Sequence, residues 1–61
     1  MKYLAIWFHD LYEIEIKHIA IIEKDSYDKA FSEARLIHRD KGLYDCRFIL
    51  QRVDFTKTKE F

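Results

Sequence analysis

Residues 2–8 read KYLAIWF, and the topology of the chain turns on this stretch. Aromatic and branched side chains dominate it, and these fit the pleated surface of a strand. Successive strand side chains point to opposite faces, so Leu4, Ile6 and Phe8 share one face and Tyr3, Ala5 and Trp7 the other. Both faces are apolar. A strand of that kind belongs in the middle of a sheet, covered on two sides.

Moving outward, His9, Asp10 and Leu11 form the turn, and residues 12–23 (YEIEIKHIAIIE) form a second strand. Ile14 and Ile16 alternate there with Glu13, Glu15 and Lys17. In unbroken phase His18, Ala20 and Ile22 continue the face of Ile14 and Ile16, while Ile19 and Ile21 make the other face apolar too. A bulge near Lys17 and His18 would shift that phase. A helical reading competes, with Asp10 as cap and Leu11, Ile14, His18 and Ile21 as a stripe. Five isoleucines within nine residues favour the strand, because β-branched side chains lose rotamer freedom in a helix. Pairing residues whose numbers sum to an even value sets Leu4, Ile6 and Phe8 beside Ile14 and Ile16. An odd sum sets them beside Glu13, Glu15 and Lys17, so burial predicts the even register.

The helix follows over residues 25–42, DSYDKAFSEARLIHRDKG. Asp25 and Ser26 cap its start, and Gly42 supplies a C′ glycine after a basic last turn. Tyr27, Ala30, Phe31, Ala34, Ile37 and His38 fall on one stripe at helical spacing, with the two alanines permitting close approach to a sheet. Leu36 lies nearly opposite and is expected to be exposed. Residues 44–55 (YDCRFILQRVDF) form the third strand, with Tyr44, Cys46, Phe48 and Leu50 on one face and Arg47, Ile49, Gln51, Val53 and Phe55 on the other.

The pattern predicts an α+β domain of β-β-α-β order over residues 1–55, with a polar tail at 56–61 that frays. The sheet is three-stranded, antiparallel or mixed, in order 2-1-3, with the helix on one face. One helix covers one face only. The expected open face carries Tyr3, Trp7, Ile19, Ile21, Ile49 and Val53, an apolar patch of a kind monomers rarely expose.

Composition narrows the function. A chain of 61 residues holds one small core and buries only about 60% of its unfolded surface. A single cysteine, Cys46, excludes an internal disulfide, so self-association is the expected supplement. Charges cancel overall, but residues 1–33 carry four Lys against seven Asp/Glu, and residues 34–61 carry seven Lys/Arg against four. A neutral total disfavours a dedicated nucleic-acid binder, which needs many phosphate contacts. No apolar run is long enough to span a bilayer, and His9 and Asp10 interrupt the one near the start, so a cytoplasmic setting is expected.

Candidate chemistry is sparse. His9, His18 and His38 lie in three different elements without metal-ligand spacing. Cys46 on an apolar strand face reads as a small hydrophobe rather than a nucleophile. One glycine excludes a phosphate-binding loop. The chain therefore reads as a non-enzyme without cofactor or metal. Trp, Tyr and Arg dominate interface energetics, which nominates Tyr3, Trp7, Ile19, Ile21, Leu36, Arg47, Ile49 and Val53 as interface residues. The expected partner is a second copy, in a homodimer or higher oligomer, followed by a foreign protein. Aromatics on an open sheet, flanked by Arg47, Arg52, Lys57 and Lys59, also match the logic of single-strand binders, which makes nucleic acid the alternative.

In its size, its opening MKYLAIWF, its charged second strand and the DSYDKAFSEA helix start, the chain resembles small accessory proteins of bacteriophages. That resemblance implies an inhibitor or regulator of a host protein, such as a defence system, in the host cytoplasm. The segment KDSYDKAFSEA is also similar to the strand-then-helix part of antitoxins with a partial ribonuclease-H fold, which implies an antitoxin-like regulatory role.

Overall fold

The computed structural model describes residues 1–53. Strand β1 (Lys2–His9), strand β2 (Glu15–Glu23), helix α1 (Tyr27–Asp40) and strand β3 (Arg47–Val53) follow in that order. The sheet runs β2-β1-β3, and both neighbours pair antiparallel to the central β1. The α+β architecture and strand order are those the sequence predicts. Phe55 and the tail at 56–61 lie outside the described residues.

The helix is set by local chemistry at both ends. Ser26 is the N-cap, its Oγ accepting from the Lys29 amide at 3.3 Å, with Asp28 in the first turn. At the other end Gly42 takes φ +66°, the left-handed conformation that glycine adopts without a Cβ clash. Its amide donates to the Arg39 carbonyl, and the Leu43 amide donates to that of His38, a Schellman pair that closes the last turn. Leu43 then packs against the core.

Register corrects one expectation. Residues 2–7 of β1 pair with β2 at an odd sum, from Lys2 with Glu23 to Trp7 with His18. Only Phe8 with Ile16 and His9 with Glu15 follow the even sum, beyond a shift between Trp7 and Phe8. Lys17 is the extra residue of that bulge, at the position the sequence marks. The expected even register thus holds only beyond the bulge, and the odd register, against the expectation from burial, holds along the rest of β1. β2 also begins later than residues 12–23 suggest, since residues 11–13 bend away before Glu15. Residues 44–46 likewise form a turn rather than strand, fixed by the Cys46 amide donating to the Leu43 carbonyl.

β1 also turns to the helix the face opposite to the expected one. Tyr3, Ala5 and Trp7 face the helix, across from Ile22, Ala20 and His18 on β2 and Arg52, Leu50 and Phe48 on β3. Tyr3 and Trp7, expected on the open face, are 2% and 0% exposed. Volume explains the choice. Ala30 and Ala34 give the helix a flat, fully buried underside, and the large rings of Tyr3 and Trp7 fill the space above the sheet. Ile37 and His38 are half-buried on the same stripe. Tyr27 and Phe31 are more exposed than their place on it suggests, because they overhang Tyr3 and Phe48 at the rim, with ring centroids 6.0 and 5.5 Å apart.

Candidate functional site

Two surfaces stand out, on opposite sides of the sheet. The first is the face turned away from the helix. Leu4 and Ile6 lie there between Ile21 and Ile19 of β2, and Ile6 also pairs with Ile49 of β3. Beyond the bulge, Phe8 pairs with Ile16, which joins the same face. One inserted residue therefore keeps Ile16, Ile19 and Ile21 together where strict alternation would separate them. Ile19, Ile21 and Ile49 are 53%, 55% and 50% exposed. Val53, paired with Lys2, is half-buried at one end of this face.

Arg47 lies at the other end, opposite Phe8. Its guanidinium sits 5.8 Å from the Phe8 ring centroid and donates from Nη1 to Asp10 Oδ2 at 3.0 Å. That contact ties the edge strand to the connection after β1. Both partners are exposed, so the ion pair fixes geometry more than it adds stability.

Five of the interface residues nominated from sequence thus share the open face: Ile19, Ile21, Arg47, Ile49 and Val53. Leu36 is exposed as expected, but on the helix, away from this face. Tyr3 and Trp7 belong to the core. Sequence reasoning passed over Leu4, Ile6, Phe8 and Ile16, and the signal for them was present. Two small helix residues four apart require large partners beneath them, which points to Tyr3 and Trp7, and the three-residue step from Ile16 to Ile19 marks the bulge.

The second surface is a groove of about 770 Å³ beside the edge strand. Rings of Phe31, His38, Tyr44 and Phe48 form its wall, and Ser32, Arg35, Leu36 and Arg39 of α1 line it too. The rings contact one another: Phe48 meets Phe31 and His38, and His38 meets Tyr44 edge-on. Tyr44 is held in place by its hydroxyl, which donates to the Arg39 carbonyl at 3.1 Å.

Among the described residues no three His, Cys, Asp or Glu side chains come together to hold a metal. Cys46 is buried, and desolvation together with the Asp45 carboxylate, 3.7 Å away, raises its thiol pKa above the ordinary value. A thiol in that setting is a poor nucleophile. Among the described residues no helix is long and apolar enough to cross a membrane. No protein-family model matches the chain, and no curated protein or solved structure matches it significantly.

Proposed function

We propose that the chain is a non-enzymatic protein-binding module that self-associates through its open sheet face and acts on a host protein, in the manner of the phage accessory proteins it resembles. The observation that carries this reading is the face formed by Leu4, Ile6, Phe8, Ile16, Ile19, Ile21 and Ile49. Apolar side chains on three adjacent strands form one continuous surface, and monomers seldom leave such a surface in water. A two-fold axis through Ile6 would lay the same face of two copies together, as in a sheet sandwich. The non-enzymatic part rests on the masked thiol of Cys46, the one cysteine in the chain.

Gel filtration with light scattering tests the self-association. A dimer mass at micromolar concentration supports it, and a stable wild-type monomer rejects it. Affinity capture from a bacterial lysate tests the second step. One protein retained stoichiometrically supports a host target, and loss of all retention after nuclease treatment favours the nucleic-acid alternative.

A further inference from the structure

We propose that the groove between α1 and β3 binds one nucleotide unit, its base against the ring wall and its phosphate on Arg35 and Arg39. This site lies on the helix side of the sheet and does not depend on the proposed dimer face.

Charge is the first argument. Among the described residues no aspartate or glutamate lines the groove, whereas two arginines do. They stand four residues apart on α1, which places them as neighbours on one edge of the helix. Among the described residues Arg35 has no ion-pair partner. The Arg39 guanidinium pairs, among the described residues, only with Asp40, through Nε at a loose 3.8 Å, which leaves its terminal nitrogens available. Two adjacent guanidiniums match the several oxygens of a phosphate better than the two of a single carboxylate.

The wall supplies the second argument. Phe31, Phe48 and Tyr44 present ring surface, and stacking accepts any base because every base has a π-face. His38 belongs to the same wall, held there by its Nδ1, which accepts from the Trp7 indole. Size is the third. A groove of about 770 Å³ falls within the roughly 300–1,000 Å³ of small-ligand sites. Two arginines on a chain of zero net charge make no extended phosphate track, so the site fits one unit rather than a long strand.

The test is an amide-shift titration of the isotope-labelled full chain with adenosine monophosphate, adenosine, inorganic phosphate, a short oligodeoxyadenylate and the blocked tripeptide glutamyl-phenylalanyl-glutamate. The monophosphate should produce saturable shifts at Ser32, Arg35, Arg39 and Tyr44. Adenosine and inorganic phosphate should each bind at least about tenfold more weakly, as should the monophosphate to Arg35→Gln with an otherwise unchanged spectrum. An oligonucleotide binding more tightly than the monophosphate makes a strand the source of the unit; equal or weaker binding makes it the free nucleotide. Equal binding of adenosine or phosphate overturns the proposal. So does an unaltered affinity in Arg35→Gln, or a groove that responds to the peptide and not to the monophosphate.

Discussion

The indole Nε1 of Trp7 donates to Nδ1 of His38 across 3.2 Å, tying the middle of the sheet to the last turn of the helix. Trp7 is fully buried, and its ring also contacts those of His18 and Phe48 at 5.4 and 5.3 Å. A buried indole N–H needs an acceptor. His38 supplies it from a position where the helix stripe already turns inward, so one hydrogen bond fixes both the rotation and the depth of α1.

Removing the acceptor should therefore be costly. His38→Ala leaves the indole N–H unsatisfied, and urea melts should show a loss of about 1–3 kcal/mol. The same change made in a Trp7→Phe background should cost measurably less, since no N–H remains to be orphaned. Equal costs in the two backgrounds would assign the effect to packing alone.

Gly42→Ala should destabilise the chain by about 1–2 kcal/mol, the cost of a left-handed conformation for a residue with a Cβ. Crowding does not contribute, since a Cβ there would meet nothing nearer than a Tyr44 ring carbon at 4.0 Å. Asparagine tolerates that conformation better, so Gly42→Asn should fall between glycine and alanine in the same melts.

Cys46 should react slowly with thiol reagents at neutral pH, because burial and Asp45 raise its pKa and deplete the reactive thiolate. The folded chain then keeps the thiol proton to higher pH than the unfolded chain does. This contribution to stability is whole below the unfolded thiol's pKa and is lost as pH rises through the folded one. Comparing reagent rates in buffer and in denaturing urea at one pH checks the first point. Activity retained in a folded Cys46→Ser protein would agree with a purely structural thiol.

Strand order was legible because KYLAIWF is apolar on both faces and only a central strand uses both. Which face meets the helix was not legible from alternation, since both sets of side chains are apolar and hydrophobicity does not rank them. Packing decides it: Ala30 and Ala34 demand bulk beneath them, and Trp7 demands an acceptor within reach. The open-face members on β2 and β3 were found because Ile19 and Ile21, and Ile49 and Val53, each share a face by alternation along their own strand. Those on β1 were missed because the observed registers set Leu4 and Ile6, not Tyr3 and Trp7, on the face of Ile19, Ile21 and Ile49. The groove was hidden for a different reason, since Phe31, Arg35 and Tyr44 meet only after the Gly42 turn brings β3 beside the helix.

The open face yields the last prediction. Ile19 sits opposite Ile6, near the middle of the surface, and about half of it is exposed in the single chain. In a two-fold dimer both copies of Ile19 become buried, so Ile19→Glu removes two apolar contacts and brings two like charges into a desolvated interface. The variant should be monomeric at concentrations where the wild type is dimeric. Its fold should survive, because Ile19 does not belong to the core beneath the helix. Trp7→Glu does not report on the interface, since it would bury a charge inside the monomer. Leu36→Glu provides the control: Leu36 is exposed on α1, on the other side of the sheet, and its substitution should leave the dimer intact. Sedimentation equilibrium of the three proteins, with circular dichroism to confirm folding, separates the outcomes. A dimer lost in Leu36→Glu but kept in Ile19→Glu would move the interface to the helix side and refute the sheet-face assembly.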